Sequence, residues 1–260
     1  MSGGTRGELV VVGCGIQLGR HIAERAVSEI DRADAVFVLA DSLAHAWVAE
    51  RRPGAVDLTE HYGEARDRRD SYRAMTDSII DRVFSGERVC CVFYGHPGVF
   101  AQVPHAAIER VRNAGLNARM EPGVSAEACL YADLGLDPGD RGVQSFEATR
   151  FLAFRHTLDP SALVLLWQVA LTGNLDCIGF EPDPRRLRLL VDKLSHWYRP
   201  DTPIILYEAA QLPIERYRAD RMALSELPAA SLKEYTTMVI PPAREPERDE
   251  RWIKALRTLD

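Results

Sequence analysis

The sequence has no C-x-x-C pair, no apolar run long enough to cross a bilayer, no surplus of basic residues and no internal repeat. Each absence removes a class of function. The five cysteines, Cys14, Cys90, Cys91, Cys129 and Cys177, are odd in number and sit mostly among apolar neighbours. That pattern excludes a disulfide framework and predicts reduced, buried thiols in a cytoplasmic protein. The longest apolar run, Leu163 to Leu171, is broken by Gln168 and falls well short of the roughly 20 residues of a spanning helix. The N-terminus shows no signal-peptide pattern, so neither secretion nor membrane insertion is expected. With 32 basic against 38 acidic residues the net charge is −6, which argues against nucleic acid as a partner. The histidines are scattered, with no H-E-x-x-H and no clustered carboxylates, and no metal is expected.

What is present describes an ordinary globular chain. Over 260 residues, 46% are hydrophobic and 27% charged, with 18 Gly and 15 Pro. That length allows one large domain or two modest ones. Three runs rich in β-branched residues end in glycine or acid: Leu9 to Val12, Ala35 to Ala40 and Val89 to Tyr94. Helical patterns lie between them at Leu18 to Ile30 and Asp70 to Phe84. A further unit follows, with helix Val103 to Asn113, strand Ala118 to Glu121 and a helix capped by Ser125. This alternation predicts an α/β fold with a mostly parallel sheet covered on both faces.

After Asp137-Pro138-Gly139-Asp140 the pattern changes. Strands are expected at Leu163 to Gln168, Ile204 to Glu208 and Thr236 to Ile240, with a helix at Arg185 to Tyr198. The turn-rich segment near residue 140 sets a domain boundary, giving an N-terminal domain over 1–140, a C-terminal domain over 141–243 and a charged tail with one short helix over 244–260.

Two glycine-bearing loops invite a ligand. Gly13-Cys14-Gly15-Ile16-Gln17-Leu18-Gly19 follows a strand, but Leu18 stands where the third glycine of a dinucleotide fingerprint belongs, and Asp41 comes late for a ribose acid. A tight strand-to-helix turn is the simpler reading. Tyr94-Gly95-His96-Pro97-Gly98-Val99-Phe100 joins glycine, which lets a ligand approach the backbone, to proline, which stiffens the loop. A satisfied loop histidine explains it equally well in isolation. Glu121-Pro122-Gly123-Val124-Ser125-Ala126-Glu127 leaves the carboxyl end of the next strand, where open α/β sheets bind ligands.

With these loops the chain resembles the tetrapyrrole-methylase fold family of S-adenosylmethionine-dependent methyltransferases. The likeness narrows through Asp57-Leu58-Thr59-Glu60-His61-Tyr62, Arg68-Arg69-Asp70-Ser71-Tyr72, Tyr131-Ala132-Asp133-Leu134-Gly135-Leu136-Asp137-Pro138 and Phe146-Glu147-Ala148-Thr149. It continues through Leu166-Trp167-Gln168-Val169, Leu206-Tyr207-Glu208-Ala209-Ala210 and Ile240-Pro241-Pro242. Together these resemble the borosin peptide-backbone N-methyltransferases, from about Leu9 to Pro242. The resemblance implies two α/β domains, their sheets mostly parallel or mixed, with S-adenosyl-L-methionine folded between them and S-adenosyl-L-homocysteine as product. Fungal members carry the substrate as their own C-terminal extension. The charged, repeat-free tail of this chain resembles instead the split bacterial type, which implies a separate precursor peptide. The family also implies a homodimer, or a heterotetramer with two precursors.

By the same resemblance Tyr62 and Arg68 are the essential catalytic pair and Tyr72 a supporting phenol, with the choice of base between the tyrosines left open. Arg68 and Tyr72 lie four apart, so one helix face carries both. In isolation, the run Arg66 to Arg73 would read as a solvated surface. Some fungal members place a tyrosine where this chain has Thr59, implying a slimmer catalytic set here. The cofactor set implied is Tyr94, His96, Val99 and Phe100 against the methionine and sugar, Ser125 and Ala126 nearby, and Gln168, Ala209, Thr236 and Thr237 around the nucleoside. Two rivals remain. Tetrapyrrole C-methylation shares the fold but does not need the Arg68–Tyr72 pair, and a catalytically silent cofactor- and peptide-binding module would not need Tyr62, Arg68 and Tyr72 together.

Overall fold

The computed structural model describes residues 7–63 and 67–259. Arg66 of the charged run and Asp260 of the tail therefore lie outside the described residues. The chain divides into two compact units, one formed by Met1–Leu134, Asn174–Gly179 and Glu208–Arg218, the other by Gly135–Gly173, Phe180–Tyr207 and Ala219–Asp260.

In the first unit the elements run β1 (Glu8–Gly13), α1 (Glu24–Arg32), β2 (Ala35–Leu39), α2 (Ser42–Arg51), β3 (Val56–Asp57), α3 (Arg68–Phe84), β4 (Arg88–Phe93), α4 (Gln102–Asn113), β5 (Asn117–Glu121) and α5 (Ala126–Leu134). The strands order as β3-β2-β4-β1-β5, and every pairing is parallel. The two-residue period of a strand sorts the core. Leu9, Val11, Phe37, Val89, Cys91 and Phe93 pack with Met75, Ile79 and Val83 of α3 and Val103, Ala107 and Val111 of α4. The alternate residues Val10, Val12, Val36, Val38, Cys90 and Val92 pack with Ala26 and Ile30 of α1 and Ala44 and Val48 of α2.

One local expectation needs correction. The helix predicted from Leu18 begins only at Glu24, because Gly15 and Gly19 take positive φ and His21 Nδ1 accepts the amides of Ile16 and Gln17, holding the segment as a turn. Asp41, which comes too late for a ribose acid, instead caps α2 by accepting the amides of Leu43 and Ala44. The cysteines also divide. Cys14, Cys90 and Cys91 are buried, and burial raises Cys14 and Cys90 to about 12. Cys129 and Cys177 are only half-buried.

At the amino ends of β1 and β4 a buried carboxylate organises the first unit. Glu29 is fully buried and paired with Arg25, Arg88 and Arg119 at 2.8, 2.6 and 2.8 Å. Burial pushes its pKa up, but the Arg88 hydrogen bond and the charges of Arg119 and Arg25 outweigh burial and leave it below the usual value. A depressed carboxylate contributes stability above its unfolded pKa and loses it as pH falls through the folded one. Glu29→Ala removes one shared partner from three guanidinium groups that keep Glu8 and Glu121, so it is expected to cost about 1–3 kcal/mol, and Glu29→Gln to flatten the acid limb of stability. Urea titrations between pH 3 and 8 read both effects.

The second unit contains α6 (Pro138–Arg141), β6 (Val143–Glu147), α7 (Ala148–Ala153), β7 (Leu163–Trp167), α8 (Pro184–Leu194), β8 (Pro203–Glu208), β9 (Arg218–Ala223), β10 (Thr237–Ile240) and α9 (Glu250–Arg257). Its sheet orders β6-β7-β10-β8-β9 and is mixed, with β6 parallel to β7 and β10 antiparallel to both β7 and β8. Its core joins Val164 and Leu166, Leu187, Leu190 and Leu194 of α8, Leu206 of β8 and Met238 and Ile240 of β10. The helix expected to reach Tyr198 stops at Leu194, where the Ser195 amide turns to Lys193 and Val191 and the buried Tyr198 packs into the core. Lys193 donates to the carbonyls of Phe151, Leu152 and Phe154, serving the end of α7. No residue of α9 is buried. Among the described residues, no helix is long and apolar enough to cross a membrane.

Candidate functional site

In the first unit, the turn before α3 brings the catalytic candidates together. Asp57 accepts the Thr59 amide and caps the 3-10 turn Leu58–His61. The Tyr62 amide closes it on the Thr59 carbonyl at 2.9 Å. Ser71 donates to the His61 carbonyl at 2.9 Å, so the turn is tied to α3. Tyr62 and Tyr72 then meet edge to face, centroids 6.3 Å apart at 80°, close enough for Tyr72 to act on the Tyr62 hydroxyl. Desolvation first, then Tyr72, raises the Tyr62 pKa, while the nearby charge of Arg68 opposes the rise without cancelling it. Tyr62 thus holds its proton through the neutral range and acts as a donor. Arg68 opens α3, its amide bonded to the Cys177 carbonyl at 3.1 Å, so Asn174–Gly179 lies against this cluster. Thr59 is exposed and its hydroxyl is committed to Asp57 at 2.7 Å. It serves the cap.

Most cofactor candidates of the first unit sit on two of three loops locked together by glycines. A Cβ on Gly13 would lie 2.3 Å from the Gly95 oxygen and 2.9 Å from Gly123 Cα, and one on Gly123 would lie 2.4 Å from the same oxygen. Gly15 and Gly95 are also bridged backbone to backbone, with Gly95 at φ 67°. The glycines after β1, β4 and β5 are therefore needed for loop against loop, which is the tight-turn reading of Gly13 with a partner added. Upon this lock stand Tyr94, His96, Val99, Phe100, Ser125 and Ala126. His96 Nδ1 accepts the Gly98 amide at 2.9 Å, which leaves Nε2–H as the ring's donor. Val99 and Phe100 are exposed at the loop tip, and Phe100 takes φ 51°, a conformation that side chains rarely adopt and that clusters at functional sites. Ser125 caps α5 through the Ala128 amide at 3.2 Å.

Ala209 joins the same unit through a segment that sequence reasoning did not single out for this purpose. Buried Gln17 donates to the Ala210 carbonyl at 3.1 Å, and Arg218 pairs with Glu208 at 2.7 Å, closing the loop that carries it. Gln168, Thr236 and Thr237 belong to the second unit. Gln168 is left-handed at φ 54° and ψ 42°, the Thr236 carbonyl accepts the Val169 amide at 3.1 Å, and the Thr236 hydroxyl accepts the Lys233 amide. Thr237 opens β10 opposite Tyr207. Among the described residues, no group of three or more His, Cys, Asp or Glu is placed to hold a metal ion.

Residues 8–227 match the family model of the tetrapyrrole (corrin/porphyrin) methylases. The chain belongs to this family. A tetrapyrrole methylase by family, it is also 38% identical over 225 residues to a methyltransferase/ribosomally synthesized type I borosin cyclic peptide precursor of Coprinopsis marcescibilis, covering 85% of this chain and 57% of the relative. It is 35% identical over 241 residues to a methyltransferase/ribosomally synthesized cyclic peptide gymnopeptides precursor of Gymnopus fusipes, covering 91% and 57%. The chain thus spans a little over half the length of these relatives. Its fold is that of solved methylases. The uroporphyrin-III-C-methyltransferase of Thermus thermophilus superposes with a TM-score of 0.63 at 22% identity, over 94% of this chain and 99% of that one.

Proposed function

We propose that this tetrapyrrole-methylase family member is an S-adenosylmethionine-dependent N-methyltransferase acting on backbone amides of a ribosomally made precursor peptide. The observation that carries the reading is the cluster of Tyr62, Tyr72 and Arg68 at the start of α3, with the Tyr62 proton held in place. The printed names of the fungal relatives, which join methyltransferase and cyclic peptide precursor, favour the same substrate class. In this proposal the precursor is a separate chain, the enzyme a cytoplasmic homodimer, and two bound precursors make a heterotetramer.

The candidate residues suit the cofactor. Tyr94, His96, Val99, Phe100, Ser125, Ala126 and Ala209 combine apolar side chains with a few polar groups, the balance that binding a compact ligand requires. The strained Phe100 and Gln168 mark two of the proposed contacts. When bound, the cofactor supplies an electrophilic methyl group, leaving S-adenosyl-L-homocysteine.

The chain's own task is to make an amide nitrogen nucleophilic. The nitrogen lone pair is delocalised into the carbonyl by the resonance that keeps the peptide planar. Arg68 is placed to hydrogen-bond the carbonyl oxygen as negative charge gathers there. Tyr62, which keeps its proton, donates. Tyr72, beside it and lining an open cavity, takes the amide proton as its own hydroxyl proton passes to solvent. The neighbouring turn fixes the three groups in one orientation, and positioning supplies most of the remaining acceleration.

The rival reading, tetrapyrrole C-methylation, is favoured by the family name, yet solved structures at 22% identity attest the fold alone. A silent binding module would form a complex without turnover. Mixing the protein with S-adenosylmethionine and a precursor peptide supplied as a separate chain separates the three. The proposal expects mass added in steps of about 14 Da, the change of H to CH₃. Methylation of uroporphyrinogen and not of peptide would overturn it.

A further inference from the structure

The α3–α4 face of the first unit carries a cavity of about 350 Å³ lined by Arg69, Tyr72, Arg73 and Thr76 of α3 and Gln102, Ala106 and Arg110 of α4. Three guanidinium groups line it and no carboxylate does. Each has an aspartate behind it: Arg69 pairs with Asp67 at 2.6 Å, Arg73 with Asp70 at 3.4 Å and Arg110 with Asp77 at 2.5 Å. A guanidinium carries five N–H donors. One aspartate on each group therefore leaves donors for a second carboxylate.

We propose that this cavity binds an acidic stretch of the peptide substrate, next to the amide that is methylated. The inference rests on the function proposed above, and Tyr72 links the two, since it lines the cavity and also meets Tyr62. The spacing favours an extended peptide over a single small anion. Arg69 and Arg73 are four residues apart, about 6 Å along a helix, and alternate residues of an extended strand are about 6.6 Å apart. An acid-x-acid pair matches that interval. Gln102, Ala106 and Arg110 repeat every fourth residue over about 12 Å of α4, the length of three to four extended residues. The acidic pair should then lie within about three residues of the methylated position.

Two fluorescein-labelled peptides test this. They share one apolar core of valine, isoleucine and glycine, one flanked by Glu-x-Glu and the other by Gln-x-Gln. Anisotropy at low salt with the intact protein is expected to show the acidic peptide binding about fivefold or more tightly, as two or three exposed pairs allow. The preference should disappear in Arg73→Gln/Arg110→Gln, exposed positions outside the catalytic cluster, and fade as salt rises. Equal binding of both peptides, or a preference that survives in the variant, overturns the proposal. Methylation of the same peptides is read in parallel. A raised KM with unchanged kcat in the variant supports the cavity's role. If neither peptide is methylated while the acidic preference holds and is lost in the variant, the functional reading fails and the cavity assignment stands.

Discussion

Replacing Arg68 with alanine is expected to lower kcat on a peptide substrate by at least about 100-fold, the usual cost of removing one donor aimed at a developing oxyanion. S-adenosylmethionine affinity should change by less than about threefold. The reason is a separation of roles. Arg68 acts on Tyr62 at the start of α3, whereas the cofactor candidates of the same unit stand on the loops after β4 and β5 and in the segment after β8. The fold should survive, because the helix is capped by Asp67 and the backbone contact to Cys177 does not involve the side chain. Tyr62→Phe should give a comparable loss, since it removes the hydroxyl while keeping the ring against Tyr72. Calorimetry with the cofactor and single-turnover kinetics separate the two readouts. Lost cofactor affinity, or a near-normal kcat, would contradict the assigned roles.

Gly13→Ala should be strongly damaging to both fold and cofactor binding. Its new methyl would sit 2.3 Å from the Gly95 carbonyl oxygen, 2.8 Å from Pro97 and 2.9 Å from the Gly123 backbone. None of these is the far end of a flexible side chain, so the loops after β1, β4 and β5 must separate. We expect a loss of about 3 kcal/mol, at the upper end of overpacking costs, together with loss of cofactor binding, because those loops carry Tyr94, His96 and Ser125. Gly54→Ala provides the contrast. Gly54 has φ 95° but nothing within 4 Å of the added Cβ, so only the backbone term of about 1–2 kcal/mol is expected, with cofactor affinity unchanged. Denaturant melts and calorimetry on the two variants distinguish loop packing from backbone strain. Normal cofactor affinity in Gly13→Ala would show that the glycine lock does not support the pocket.

Much of the first unit was legible because its strands are buried on both faces and read as continuous β-branched runs. No alternation of apolar and polar residues was needed to find β1, β2 and β4. The helix α2 is not announced by periodicity, because Ser42 to Arg51 concentrates its apolar residues on no single face, and its clearest signal is the Asp41 cap. In the second unit β6 and β9 escaped notice because both are edge strands, where polar residues such as Gln144, Arg218 and Arg221 replace the apolar run. The glycine lock is not a sequence motif at all. It depends on three strand ends lying side by side.

The candidate site was legible through resemblance more than through spacing. Arg68 and Tyr72 share a helix face by periodicity, but the approach of Tyr62 depends on the Asp57-capped turn and on Ser71 tying that turn to α3. The arginine-lined cavity needed α3 packed beside α4, and no local pattern in Gln102 to Arg110 announces it.

The most direct test of the central claim is tandem mass spectrometry of a peptide incubated with the protein and S-adenosylmethionine bearing a deuterated methyl group. The account expects fragment ions that place each label on a backbone nitrogen, with the signal lost in Arg68→Ala. Label on side chains alone, or no label while the cofactor still binds, would contradict it.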